Sequence, residues 1–295
     1  MRIFVTGATG FIGSAVVQEL LGAGHRVLGL ARSDAAAALL LAAGAEVHRG
    51  SLDALDHLQR GAAESDGVVH TAFNHDFTTF VANCQTDKLA IDALGAGLKG
   101  SGRPLIVSSG ILGLPSDRLA TEEDVPAAVI PRLSESSGLA QAAHGIRAMA
   151  MRLPPSVHGD GDHGFVPHLI TVARQQGFSA YVGTGENRWP AVHRLDAARL
   201  YRLALEKGVS GARFHAVADE GVPVRQIAEA IGRRLNLPVV SKSPEEAAAI
   251  FGFIGHVLGM NAAASSKLTQ DRMGWHPTQP GLLADLEHGT YFDPR

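Results

Sequence analysis

The turn Thr6-Gly7-Ala8-Thr9-Gly10-Phe11-Ile12-Gly13 lies between an apolar run, Ile3-Phe4-Val5, and an apolar stripe, Ala15-Val16-Val17 with Leu20-Leu21. Glycines between a strand and a helix let the backbone turn tightly and leave no Cβ between it and a pyrophosphate, while the helix N-terminus offers unpaired N–H groups. In that strand–turn–helix context, Gly7, Thr9, Gly10, Phe11, Ile12 and Gly13 read as a dinucleotide cradle. Arg32 and Ser33 follow the second apolar run about nineteen residues beyond Gly13. A carboxylate there suits a free ribose 2′-hydroxyl, whereas an arginine with a serine suits a 2′-phosphate, so NADP(H) is expected over NAD(H). Asp34 opposes that expectation, because it could reach the ribose and repel a phosphate. Ser109 ends a later apolar run and is the candidate catalytic residue, a hydroxyl able to hydrogen-bond a carbonyl or alcohol. His75-Asp76 could supply an acid near neutral pH, or could simply cap a helix. His158, Asp160, Asp162 and His163 have the residue types of metal ligands, but nothing supplies the remaining ligands by spacing, so no metal site is expected.

The elements that must position these groups alternate strand and helix through residue 153. Strands are expected at Ile3–Val5, Val27–Leu30, Ala45–Val47, Gly67–His70, Pro104–Val107 and Ile146–Arg152, with a long helix from Phe77 to Leu98. Near-continuous apolar strands separated by helices predict an α/β, Rossmann-type doubly wound parallel sheet covered on both faces. After Pro154-Pro155 the pattern changes. Helices near 165–176, 195–207, 223–235 and 244–259 and short strands near 179–183, 213–217 and 238–240 predict a smaller lobe covering the substrate. The expected division is a dinucleotide-binding core over 1–153 and a substrate-binding lobe over 154–295, interleaved with the core. Glu246–Met260 reads as one amphipathic-to-apolar helix, a lid or a packing face.

Composition narrows the function classes. The 295 residues are 45% hydrophobic and 19% charged, ordinary for a chain with a large core. A net charge of −3 without a Lys/Arg run gives no field for nucleic acid or anionic lipid. One cysteine, Cys84, excludes an internal disulfide or a cysteine zinc site. The longest apolar stretch, Ala35–Ala43, is too short for a membrane span. With a first strand starting near the N-terminus and no signal-like segment, a cytoplasmic protein is expected.

These pieces, in this order, resemble the extended short-chain dehydrogenase/reductase family, its epimerase/dehydratase/reductase branch, over almost the whole chain. Thr6–Gly13 resembles the G-x-x-G-x-x-G loop, and Gly50-Ser51-Leu52-Asp53 the G-D-L-x-D turn near the adenine, with Ser51 in place of the acid. Thr71, Ala72 and Phe73 leave the fourth strand where the family contacts the nicotinamide ribose. Asn83 matches the asparagine of N-V-x-G-T, and Ser108-Ser109 the serine pair ending the fifth strand. Val157–Asp162 resembles V-Y-G-P-G-D, and Gly185–Arg199 a later segment in which Trp189, His193 and Arg194 line or support the substrate side. The resemblance implies cofactor contacts at Ser51, Leu52, Thr71, Ala72, Phe73, Asn83 and Ser108.

It breaks at the chemistry. The family's Y-x-x-x-K pair would fall near Ala127 and Pro131, tyrosines occur only at 181, 201 and 291, and no lysine lies between Lys99 and Lys207. The implied activity is hydride exchange between NADP(H), or NAD(H), and a small carbonyl or alcohol held near Ser109, in an atypical enzyme for which a homodimer is an expected assembly. An NAD-dependent epimerase or dehydratase and a non-catalytic dinucleotide sensor are the alternatives.

Overall fold

The computed structural model describes residues 1–126 and 131–293. The first half runs β1 (Arg2–Thr6), α1 (Phe11–Gly22), β2 (Arg26–Ala31), α2 (Asp34–Ala42), β3 (Glu46–Arg49), α3 (Leu55–Ala63), β4 (Gly67–His70), α4 (Phe80–Leu98), β5 (Pro104–Gly110), α5 (Ser134–Ala140) and β6 (Arg147–Leu153). The second runs β7 (Ser156–His158), α6 (Phe165–Gln176), β8 (Ser179–Val182), β9 (Arg188–His193), α7 (Arg194–Lys207), β10 (Arg213–His215), β11 (Asp219–Pro223), α8 (Val224–Leu235), β12 (Val239–Lys242), α9 (Pro244–Phe251), α10 (Phe253–Leu258), α11 (Lys267–Met273) and α12 (Leu282–His288).

Seven parallel strands form the central sheet in the order β10-β6-β5-β4-β1-β2-β3. Their residues are apolar in nearly every position because both faces are covered. Ile3, Val5, Val69, Ile106 and Met149 pack with α1 and α7 on one face. Phe4, Val68, Leu105, Val107 and Ala148 pack with α3 and α4 on the other. The strand order reverses beside β1, so the C-terminal ends of β1 and β4 flank the crevice in which such sheets take their ligands.

The second half does not stand apart from this sheet. Its strand β10 pairs with β6, and α7 packs against α1. The remainder gathers around its own core of α6, α8, α9, α10 and α12, with a three-stranded sheet β11-β9-β7 and a parallel pair β12-β8. The helix expected over Glu246–Met260 is two helices, because Gly252 takes a left-handed φ of 59° and breaks it. The α4 helix starts at Phe80, and Phe77–Thr79 form a separate 3₁₀ turn capped by Asp76. No described helix is long and apolar enough to cross a membrane.

Candidate functional site

The glycine turn fits a dinucleotide. Gly7 has φ 66°, and a Cβ there would fall 2.7 Å from the backbone nitrogen of Ala72. A Cβ on Gly13 would fall 2.0 Å from the Gly7 carbonyl oxygen, so α1 can start this close to the turn only with glycine. Gly10 is the N-cap of α1, and no side chain caps the helix there. A Cβ on Gly10 would meet only the Gly7 carbonyl oxygen, at 3.2 Å, leaving the face in front of the first helical turn open. The first-turn N–H groups and the helix dipole are thus presented to an anion. Thr71 holds the turn from behind, its hydroxyl donating to the Thr6 carbonyl at 2.8 Å.

Two cations stand at the ends of this cradle. Arg32 is exposed and has no acidic partner among the described residues. The opposing Asp34 is drawn off by Arg49 at 2.6 Å, an arginine that β2–β3 pairing places opposite Ala31. Ser33 caps α2, accepting from the Ala36 N–H at 3.2 Å. At the other end Arg194 lies 5.2 Å over the Phe11 ring, and His163 meets the same ring edge-on at 5.8 Å. The second lobe therefore touches the turn directly. Ser51 and Leu52 are half-buried beyond β3.

Alternation along β5 separates its two serines. Ser108 faces α7, where its hydroxyl donates to the His70 carbonyl at 2.7 Å and meets the Tyr201 hydroxyl at 2.6 Å. Burial pushes the Tyr201 phenol up, so it stays neutral. Ser108 is thus engaged behind the crevice rather than facing it. Ser109 points to the opposite face with Val107, and among the described residues its hydroxyl has no hydrogen-bond partner. Asn83 is also engaged internally: its amide donates to the Asp76 carbonyl at 2.8 Å and accepts from Asn74 at 3.1 Å, shaping the loop after β4.

On the Ser109 face runs a chain of polar contacts absent from the sequence-based expectations. Thr6 meets His70 Nδ1 at 2.7 Å, His70 Nε2 meets Asp87 at 2.9 Å, Ser134 donates to Asp87 at 2.5 Å, and Arg132 Nε donates to Ser134 at 3.0 Å. Burial opposes the Asp87 charge, but the bonds from His70 and Ser134 and the charge of Arg132 hold its carboxyl below the usual range. The Arg132 guanidinium lies 4.2 Å over the Phe73 ring. Of the two positions where a tyrosine–lysine pair would fall, Ala127 lies outside the described residues and Pro131 immediately precedes Arg132. The available signal was that Arg132 is the single Lys or Arg between Arg118 and Arg147. His75 is solvent-exposed beside Phe73 and Phe77, at 5.2 and 6.2 Å between ring centroids, and partial desolvation, then the positive charges of Arg132 and His163, lower its pKa. At neutral pH it is an uncharged imidazole.

The histidine–aspartate loop after β7 is tied to the C-terminal segment. His158 Nδ1 pairs with Asp285 at 2.8 Å, Thr290 donates to Asp160 at 2.7 Å, and Tyr291 donates to Asp162 at 2.7 Å. Among the described residues no group of three His, Cys, Asp or Glu is placed to hold a metal. His193 caps α7, accepting from the Leu195 N–H at 3.2 Å, and Trp189 is fully buried.

The sequence pattern of the NAD dependent epimerase/dehydratase family matches residues 3–85. An uncharacterized protein of Schizosaccharomyces pombe is 52% identical over 99% of this chain and 100% of its own length. The chain belongs to the NAD-dependent epimerase/dehydratase family. Like its family, it is an oxidoreductase of the short-chain dehydrogenase/reductase type. A 2-alkyl-3-oxoalkanoate reductase of Stenotrophomonas maltophilia is 28% identical over 82% of this chain and 78% of its own. The fold of this family member is shared with the crystal structure of a dTDP-glucose 4,6-dehydratase from Streptomyces venezuelae, at a TM-score of 0.79 and 20% identity over 98% of this chain and 95% of the other.

Proposed function

We propose that this family member is an NADP(H)-preferring oxidoreductase that exchanges hydride with a small carbonyl or alcohol carbon held beside Ser109. The observation that carries the reading is the pairing of Asp34 with Arg49, which leaves Arg32 as the unopposed charge at the end of β2. A 2′-phosphate there meets a guanidinium, while the nearby Asp34 carboxylate is paired at the surface with Arg49. The name of the Stenotrophomonas relative, a reductase of an oxo compound, supports the direction of the chemistry.

The dinucleotide, when bound, supplies or accepts the hydride. Gly7, Gly10 and Gly13 bring the backbone to the pyrophosphate, with Thr9, Phe11 and Ile12 opening α1 beneath it. Ser51 and Leu52 border the adenine, and Thr71, Ala72 and Phe73 the nicotinamide ribose. The Ser109 hydroxyl, without a hydrogen-bond partner among the described residues, polarises the substrate oxygen, a contribution that strengthens as charge develops there. The proton comes from water or from His75, with no tyrosine in the role. Tyr201 is sealed behind Ser108, Tyr291 is bound to Asp162, and Tyr181 stands in the second lobe under Arg225.

Calorimetric titration of both cofactors against wild type and Arg32→Ala tests this. NADPH should bind the wild type more tightly than NADH, and the substitution should weaken NADPH alone by about 10- to 100-fold. With NADPH and a carbonyl panel, Ser109→Ala should lower turnover by roughly 10²–10³. Equal cofactor affinities in the wild type would overturn the preference. Binding of NADPH without turnover of any carbonyl or alcohol would favour a dinucleotide sensor.

A further inference from the structure

Arg132 is held in an unusual way for a cation surrounded by protein. It enters the crevice from the segment ahead of α5, and of its five N–H groups only Nε has a protein partner among the described residues, the Ser134 hydroxyl. Neither terminal nitrogen has a partner among the described residues. The acid whose field reaches it, Asp87, already accepts from His70 and Ser134 and makes no direct contact with it. The guanidinium lies over the Phe73 ring at 4.2 Å, and the side chain is only half-buried.

A guanidinium edge is a planar fork of donors matched to a carboxylate, and protein on its flanks makes the pairing stronger than in open water. Besides Asp87 the ionisable groups facing it are the Cys84 thiol and the Tyr201 phenol, both pushed up by burial and so neutral, and the His75 imidazole, which brings no negative charge. An apolar wall continues outward from Phe73. The Phe73 ring meets Phe80 at 6.0 Å, Phe80 meets Phe77 at 5.9 Å, and Phe77 stacks on Phe253 of α10 at 4.1 Å. A charge-binding fork therefore stands at the inner end of a strip of rings, on the face of β5 that carries Ser109.

We infer that the substrate is a carboxylic acid with an apolar body, its carboxylate paired with the Arg132 fork and its body laid along Phe73, Phe80 and Phe253. This rests on the hydride-transfer reading for the identity of the reacting carbon, but the acid recognition itself does not. Arg132 is then a specificity-determining residue that touches substrate, and Ser134 is the positioning residue that aims it.

The test uses octanoate and methyl octanoate as inert probes, titrated calorimetrically into the protein saturated with NADPH, and their oxo derivatives as substrates. Octanoate should bind the wild type at least tenfold more tightly than its ester. Arg132→Gln should weaken octanoate by about 10- to 100-fold and erase that difference, while leaving NADPH affinity unchanged. Arg132→Lys, which keeps the charge and loses the fork, should fall between them. With oxo acids, Arg132→Gln should raise KM and leave KM for the oxo esters unchanged. Equal binding of acid and ester by the wild type overturns the inference, whatever the variants do. So does parallel loss of NADPH affinity in Arg132→Gln, which would put the guanidinium on the cofactor. Acid binding through Arg132 without reduction of any carbonyl would sink the hydride-transfer reading and leave this one standing. Reduction of acids and esters alike would do the reverse.

Discussion

Helix α5 has one arginine just before it and another on the strand after it, and the two are treated in opposite ways. Arg152, on β6, is fully buried and saturated. It donates to both oxygens of Glu135 at 2.7 Å, to the carbonyls of Asp124 and Glu122, and to His215 Nε2 at 3.1 Å. Arg213 adds a third donor to Glu135 at 2.8 Å. His215 gives its other ring proton to the Ser265 carbonyl, and burial lowers its pKa, so it serves as a neutral acceptor. Arg132, by contrast, has one hydrogen-bond partner among the described residues. A saturated guanidinium is a strut with nothing left for a ligand, whereas an unsaturated one in a crevice is an invitation to bind.

The comparison breaks most visibly at Glu135. Glu135→Gln leaves Arg152 buried without its counter-charge and should destabilise the protein by roughly 3–5 kcal/mol, read from urea midpoints. NADPH affinity of the folded fraction should not change. The same pair sets an acid limit. Burial opposes the Glu135 charge, but the bonds and charges of Arg152 and Arg213 hold its carboxyl below the usual range. Its stabilisation is therefore fully present above the ordinary glutamate pKa of about 4.3 and is lost as pH falls through the lower folded value. Urea midpoints measured from neutral pH down to about pH 3 should fall more steeply in wild type than in Glu135→Gln.

In the crevice the response to pH comes earlier and touches rate. His75 titrates below the ordinary histidine value of about 6.5, because partial desolvation beside the phenylalanine rings and the charge of Arg132 disfavour its charge. If it delivers the proton, kcat for carbonyl reduction should rise as pH falls toward 5.5, by up to about tenfold per unit. His75→Gln should flatten that profile. A profile unchanged by the substitution assigns the proton to water. The smallest effect sharpens the contrast with Arg152: Arg132→Met should move the urea midpoint by an amount worth about 1–2 kcal/mol, since one hydrogen bond to a hydroxyl and a stack are lost. A loss comparable to that of Glu135→Gln would make Arg132 a strut as well.

What the sequence made legible follows the same division. The turn at Thr6–Gly13 could be read because its backbone geometry demands glycine, and the central strands because burial on both faces leaves them apolar throughout. Helix α5 was not read. Its segment Ser134–Ala140 is poor in helix formers and is held by packing so close that a Cβ on Gly138 would fall 2.2 Å from Val107 Cγ2. The small sheet of β7, β9 and β11 was missed too, since its strands are short and two of them meet in an irregular register. The weight of Asp34 could be judged only with Arg49 in view, a partner supplied by strand pairing and not by proximity along the chain. Ser109 reads as the catalytic hydroxyl and Ser108 as a cofactor contact, and the alternation of β5 shows Ser108 engaged with His70 and Tyr201 instead.

The insertion of β10 beside β6 has a consequence for how the chain is made. Until residues 213–215 have been synthesised, β6 is the edge of the growing sheet, with its N–H and C=O groups open to any other strand. The strand that closes it arrives about sixty residues later, and His215 is then latched through its N–H to the Thr269 hydroxyl, later still. A nascent chain released after residue 153 would carry an unsealed edge and Arg152 without the His215 and Arg213 contacts that complete its network. Such a fragment should aggregate rather than fold as an independent nucleotide-binding module. For ribosome-bound chains, protection of β6 from proteolysis should appear only once the α11 segment has left the exit tunnel.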